Sequence, residues 1–178
     1  MPTQGRAPTT RKPSAASAKL ARELGKSAGF DSLEQEVFLN LIRAHEAITE
    51  PFAKLFRSRG VSMPLYNILR ILRGNGAVDG SGKGLAIQKI GEQMLTREPD
   101  MTRLIDRLEK AGHAVRKRCP EDRRVVHVEV TRSGLDLLDE LDEPVRALDH
   151  DSLAHLSERE LETLSALLAK ARPPSDDD

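Results

Sequence analysis

Tryptophan is absent from this 178-residue chain, and aromatic residues together make up only 3% of it. With so few rings to fill a core, burial must come from aliphatic side chains, which favours helices packed on one another. A single cysteine, Cys119, excludes an internal disulfide. No apolar run approaches the roughly 18 residues of a membrane span, and no secretory h-region is present. The five histidines stand singly, with His150 and His155 five apart rather than at the three or four that a helical metal pair needs. No nucleophile and base pair or cofactor loop stands out. The expectations are therefore no enzyme, no cofactor, no metal and no membrane partner.

Net charge is also missing, because 28 Lys/Arg balance 28 Asp/Glu, but the balance is not local. Residues 1–30 carry six basic groups against one acidic, 31–96 eight against seven, 97–132 ten against seven, and 133–178 four against thirteen. A basic front and an acidic back suit a nucleic-acid binder with a separate surface for self-association, although a neutral total weakens the electrostatic argument.

Residues 1–29 are rich in Pro, Ser, Thr, Ala and Lys/Arg without periodicity, and are expected to be a largely disordered basic arm. A short helical turn near Ala18–Leu24 fits the residues, and an organelle transit peptide is the less favoured alternative. Ser32 and Gln35 have capping-box spacing for a long helix with Phe38, Leu41, Ile42, His45, Ile48, Phe52, Leu55 and Phe56 on one stripe. His45 there reads as a partly buried packing residue before a ligand contact. Pro51 removes one backbone bond and should kink or divide the rod.

Ser62 can cap a second helix to about Arg73 that buries Leu65, Ile68, Leu69 and Leu72. The glycine-rich stretch 74–84 resembles a phosphate loop only superficially. That loop needs glycine where Ala77 stands, and Ser or Thr after Lys83, where Gly84 stands. A flexible linker is expected. A short helix over about Ala86–Met94 and a turn containing Thr96 then lead into a helix opening at Pro99, a helix-turn-helix arrangement. Either Thr96 or Glu98 could cap that helix.

The stretch from Arg97 to Arg132 organises the chain. Met101, Leu104, Ile105 and Leu108 fall on one helical face; Asp100, Thr102, Arg103, Asp106, Arg107 and Lys110 occupy the other. Gly112 supplies a left-handed terminator. The period then changes to two, which predicts a hairpin with strands at about Ala114–Arg118 and up to Val130, and a tip at residues 119–124. A polar helix followed by a two-stranded ribbon with arginines at its tip is the layout of a winged helix. The helix fits the major groove, and the tip can reach a minor groove or phosphates. Thr131 can cap a further helix with Leu135, Leu138, Leu141, Val145 and Leu148, with a kink expected at Pro144. Ser157 and Glu160 make a capping box for a last helix bearing Leu161, Leu164, Leu167 and Leu168. So much leucine at the chain ends predicts isologous pairing with a second subunit.

TRLIDRLEKAG at 102–112, DRR at 122–124 and VT at 130–131 together resemble the multiple antibiotic resistance regulator (MarR) family of bacterial transcription factors, from about Phe30 to Arg172. The resemblance implies a mainly α fold with a small β-hairpin wing: a winged helix-turn-helix flanked by N- and C-terminal dimerisation helices. It implies a domain over 30–173, with a DNA-binding core at about 62–132, dimerisation helices at about 31–60 and 132–172, and an acidic tail at 174–178. The implied function is a cytoplasmic homodimer that binds a palindromic double-stranded DNA operator, usually as a repressor released by a small ligand or an oxidant. A ligand would act in the crevice between dimerisation helices and winged helix. The alternative is a winged-helix module that binds a protein partner.

Matched onto this sequence, the candidate DNA contacts are Thr96, Asp100, Thr102, Arg103, Arg107, Arg123 and Arg124, with Asp122 bracing the wing tip. Arginine suits these places because its planar fork grips guanine and its charge favours a narrow minor groove. The competing reading is ordinary surface charge. His113 stands where the family usually has an apolar residue. Glu98 and Asp100 are unfavourable to phosphate, although Asp100 could accept from cytosine N4. The first long helix lacks the cysteine of oxidant-sensing members. Cys119 beside Arg116 and Arg118 has surroundings that favour its thiolate, making it a redox candidate against the plainer reading of an exposed cysteine.

Overall fold

The computed structural model describes residues 14–27, 29–118 and 125–172. Its contacts divide into two compact units, residues 1–50 and 51–178. In the first, α1 (Ala15–Glu23) opens at Ser14, whose side chain accepts from the N–H of Ser17, and buries Ser17 and Leu20. The short helical turn expected near Ala18–Leu24 is here, as a longer helix that starts at a serine cap.

The second helix, α2 (Leu33–Ser58), begins in the first unit and contains Pro51 at the division between the two. Ser32 Oγ accepts from Gln35 N at 3.1 Å, and Gln35 Oε1 accepts from Asp31 N at 3.0 Å, so both expected capping residues act at its start. Helix assignment continues through Pro51, and the expected division of the rod is not seen. The stripe is buried only at its end, where Phe56 is in the core with Phe52 and Leu55 packed against it; its start is not. Leu33, Val37, Phe38, Leu41 and Ile42 are exposed, Phe38 by 61%. His45 is exposed as well, correcting the expectation of a packing histidine.

The second unit holds a helical core with a small sheet on one side. Helix α3 (Met63–Gly74) buries Leu65, Ile68, Leu69 and Leu72 as the periodicity requires, together with Tyr66 and Ile71. Ser62 occupies its N-cap without a side-chain bond, and Pro64 takes a first-turn position where no N–H is needed. Phe56 stacks on Tyr66 with ring centroids 4.5 Å apart. Around α3 pack α4 (Ile87–Glu92), α5 (Met101–Lys110) and α6 (Arg132–Leu153), and their buried Ile90, Ile105, Leu108, Leu138, Leu141 and Val145 complete the core. Arg73 of α3 forms a forked pair with Asp142 of α6, at 2.7 and 3.0 Å.

Three short strands, in the order β1-β3-β2, make the antiparallel sheet. β2 (Ala114–Arg118) pairs with β3 (Val126–Val130), the hairpin that the alternation predicts, in the register Ala114↔Val130 to Arg118↔Val126. β1 (Leu85–Ala86) is too short to show a period and has no counterpart in the sequence reading. The linker before it is not free. Ala77 is fully buried, Val78 bridges Val130, and Asp79 N donates to Val130 O at 2.9 Å. The expected flexible loop is therefore pinned along its first half, by contacts with residues some fifty positions later in the chain.

The helix after the sheet starts against the hairpin. Thr131 Oγ1 accepts from Gly134 N at 3.2 Å and donates to Gly112 O at 2.6 Å, so one hydroxyl caps α6 and ties it to the end of α5. Gly134 is required there, since a Cβ would lie 2.3 Å from His113 O and 2.7 Å from Val130 Cγ2. The last helix, α7 (Glu158–Ala171), carries the expected Ser157–Glu160 capping box but buries no residue, and Leu167 and Leu168 are exposed.

Two helical glycines give opposite expectations. Gly134→Ala should destabilise by about 1–3 kcal/mol through overpacking against backbone. Gly91→Ala, whose Cβ would meet only Met101 Cγ at 3.8 Å, should be neutral or stabilise by up to about 1 kcal/mol through helix propensity. Urea midpoints of both variants measure this, and a neutral Gly134→Ala would contradict the close approach.

Candidate nucleic-acid interface

Helix α5 is held from beneath by burial of Ile105 and Leu108, with Met101 and Leu104 partly packed against the same core. Its left-handed terminator is Gly112, at φ 77°, as the sequence indicated. The start differs from expectation. The helix opens at Met101, and its cap is neither Thr96 nor Glu98 but Asp100, whose Oδ1 accepts from Arg103 N at 3.0 Å. Pro99 lies one residue outside the cap, a place equally compatible with its fixed φ.

The turn before α5 is fastened from α3. Asn67 Oδ1 accepts from Leu95 N at 2.9 Å, and Asn75 Nδ2 donates to Gln93 Oε1 at 2.9 Å. Neither asparagine stood out in the sequence, because nothing local marks a side chain that serves a turn 28 or 18 residues later. Thr96 sits in this turn, exposed, with its hydroxyl on Glu98 Oε1 at 3.1 Å.

Arg103, Arg107 and Lys110 are exposed, and their spacing of four and three places them in one row along the outer face. None has an ion-pair partner among the described residues. Lys110 was on the polar face in the sequence but outside the candidate contacts, although its position seven residues after Arg103 was the available signal. Thr102 is exposed on the flank of this row.

The acidic residues of α5 are drawn away from that row by Arg116 of β2. Its Nη1 pairs with Asp106 Oδ1 at 2.6 Å and with Glu109 Oε2, its Nη2 donates to Thr102 O at 3.1 Å, and its backbone N donates to Glu109 Oε1 at 2.9 Å. Asp106 thus remains partly exposed, as the sequence placed it, but is paired with Arg116. Arg116 is equally committed, so it is not a free cation beside Cys119.

Lys117, on the opposite face of the strand, is also engaged. It pairs with Asp79 at 2.6 Å and Glu129 at 2.8 Å. The hydrogen bond to Asp79 first, and that to Glu129 second, hold its ammonium above the ordinary lysine value. Arg118 has no ion-pair partner among the described residues. The remaining candidates, Cys119, Asp122, Arg123 and Arg124, lie outside the described residues.

Among the described residues no group of three His, Cys, Asp or Glu could hold a metal, and no helix is long and apolar enough to cross a membrane. His150 Nδ1 lies on Asp151 Oδ1 at 3.1 Å. His113, the departure noted in the sequence, meets Ser133 Oγ through Nδ1 at 3.1 Å at the junction of α5, β2 and α6.

Comparison with known proteins places this geometry. The MarR family model matches residues 61–126, which contain α3 to β2 and the start of β3. The chain is 30% identical to the HTH-type transcriptional regulator FarR of Neisseria gonorrhoeae over 143 residues, covering 78% of this chain and 92% of that protein. A MarR transcription factor from Planctomyces limnophilus is similar in structure at 40% identity and a TM-score of 0.59, covering 80% of this chain and 99% of the other. The fold is also that of BpsR from Bordetella bronchiseptica, a protein whose DNA binding is regulated by 6-hydroxynicotinic acid. It is 20% identical with a TM-score of 0.65, over 76% of this chain and 97% of that one.

Asp100 has a testable double character. Asp100→Ala should cost about 1 kcal/mol of stability by removing the cap, whereas Asp100→Asn should retain nearly all of it. Thermal unfolding of the two variants separates them, and equal losses would show that the charge rather than the cap is what matters.

Proposed function

This chain belongs to the MarR family of transcriptional regulators, and we propose that it acts as a homodimeric repressor that binds a palindromic operator and is released by a small ligand or an oxidant. The observation that carries the DNA-reading part is the row Arg103, Arg107, Lys110, exposed and unpaired among the described residues on a helix whose other face is buried. A cylinder of this width enters the major groove, and cations along it meet base edges near the start of the helix and phosphates further on. Arg103, in the first turn beside Thr102, has the base-reading place. Arg107 and Lys110 neutralise backbone charge. Asp100 retains its second carboxylate oxygen for a cytosine amino group.

Self-association is supported separately in each unit. Residues 1–50 expose Leu33, Val37, Phe38, Leu41 and Ile42, and the later unit exposes Leu167 and Leu168. Contiguous apolar surface of this kind marks an interface, and a two-fold dimer places two recognition helices about one turn of DNA apart. The regulation of BpsR by a small aromatic acid supports release by a ligand here. Such a ligand works only by binding one spacing of the recognition helices better than the other.

Arg103→Ala should weaken operator binding by about 1–3 kcal/mol and relax specificity at one base position, while Lys110→Ala should weaken operator and random duplex alike and lower the salt slope by about 1. Fluorescence anisotropy on both duplexes over a salt series measures these quantities. An equal loss on both duplexes for Arg103→Ala would contradict its base-reading role. For the dimer, Phe38→Asp should shift the sedimenting species from two chains to one, and an unchanged mass would place the interface elsewhere.

A further inference from the structure

Lys117 of β2, like Arg116, is engaged by carboxylates of its own fold. Its ammonium sits between Asp79 of the 74–84 linker, at 2.6 Å, and Glu129 of β3, at 2.8 Å. Glu129 is 2% exposed, a carboxylate almost wholly out of water. The backbone N–H of Gly80 also donates to its Oε2, at 3.2 Å. Taking a carboxylate out of water is costly unless a cation and hydrogen bonds compensate it, and here Lys117 is that cation.

What covers Glu129 is the linker. Asp79 and Gly80 hold it at one end, and at the other Gly84 lies so close that an added Cβ would be 2.6 Å from His127 Cβ and 3.3 Å from Glu129 Cγ. Between these points the linker passes over the face of the hairpin that carries Lys117, His127 and Glu129. The groups facing the buried carboxylate are thus Lys117 from β2, His127 from its own strand, and Asp79 from the linker.

We propose that Lys117 is a positioning residue for DNA binding and not a phosphate contact: with Asp79 and Glu129 it straps the linker across the hairpin and so fixes the hairpin on the winged-helix core. This rests on the operator-binding reading above. The chemistry separates the two roles. A lysine that neutralises phosphate releases a counterion on binding and adds to the salt dependence; a lysine spent on Asp79 and Glu129 does not. Removing the cation alone strands a buried carboxylate, whereas removing both charges does not.

The test compares the full-length wild type, Lys117→Met and the double variant Lys117→Met/Glu129→Gln. The readouts are operator affinity over a salt series and, without DNA, hydrogen exchange in the segment 77–84. Lys117→Met should weaken operator binding about tenfold, within the cost of stranding a buried charge, with an unchanged salt slope and faster exchange in 77–84. The double variant should return both affinity and exchange to within about threefold of wild type, because no unpaired charge is left inside. A salt slope reduced by about 0.9 in both variants would overturn the proposal in favour of a phosphate contact. Unchanged affinity and exchange in Lys117→Met would overturn it too. Should Lys117→Met fail to fold, the double variant alone decides through its salt slope. A wild type without operator preference would overturn the DNA reading on which the proposal rests, and the exchange data would then still report whether the strap exists.

Discussion

Asp106 and Glu109 share the guanidinium of Arg116, and the charge of the face of α5 that we propose meets DNA depends on that pairing. Helix α5 carries acids as well as bases. Left to point outward, the two carboxylates would stand beside Arg103, Arg107 and Lys110 and offset their attraction for phosphate. Arg116 draws both to one flank, adds a bond to the carbonyl of Thr102, and leaves a row of cations that is unopposed among the described residues. The same contact ties the recognition helix to the first strand of the wing. One residue therefore bears on both the charge of the exposed face of α5 and the attachment of that helix to the hairpin.

A second junction links this unit to α6. Thr131 caps α6 with one side of its hydroxyl and donates with the other to Gly112 at the end of α5, and Gly134 lets α6 pass against the His113 carbonyl. The end of the recognition helix, the start of the hairpin and the start of α6 are thus joined by backbone contacts too close to slide. Arg73 and Asp142 fasten α6 to α3 further along. A displacement of α6 would be carried to α5 as a rigid movement, since interiors packed this tightly do not deform gradually. That is the mechanical property the proposed release by a ligand requires.

Much of this was legible in the sequence, for local reasons. The 3.6-residue period located α3, α5, α6 and α7, alternation located the β2–β3 hairpin, and Thr131, Gly112 and the Ser157–Glu160 pair marked helix ends through contacts within a few residues. What the sequence concealed is non-local or too short to have a period. β1 is two residues long. The linker looked free because its anchors, Lys117, Glu129 and Val130, lie far along the chain. Asp100 escaped notice as a cap because Pro99 offered a more familiar first-turn reading, and the pairing of Asp106 was hidden because its partner sits on a strand. The apolar stripe of α2 was read correctly as apolar, but only its end, at Phe52, Leu55 and Phe56, is covered, and Phe38, Leu41 and Ile42 are exposed.

The central claim is that the unopposed cation row of α5 reads a specific DNA sequence. The most direct measurement is titration of the purified wild-type protein onto the duplex flanking its own gene, with random duplex as competitor, at two salt concentrations. The account predicts tight binding at a palindrome that survives the competitor and weakens steeply with salt. Binding no stronger than to random DNA and insensitive to salt would contradict it, and would point instead to a winged helix that uses this face for a protein partner.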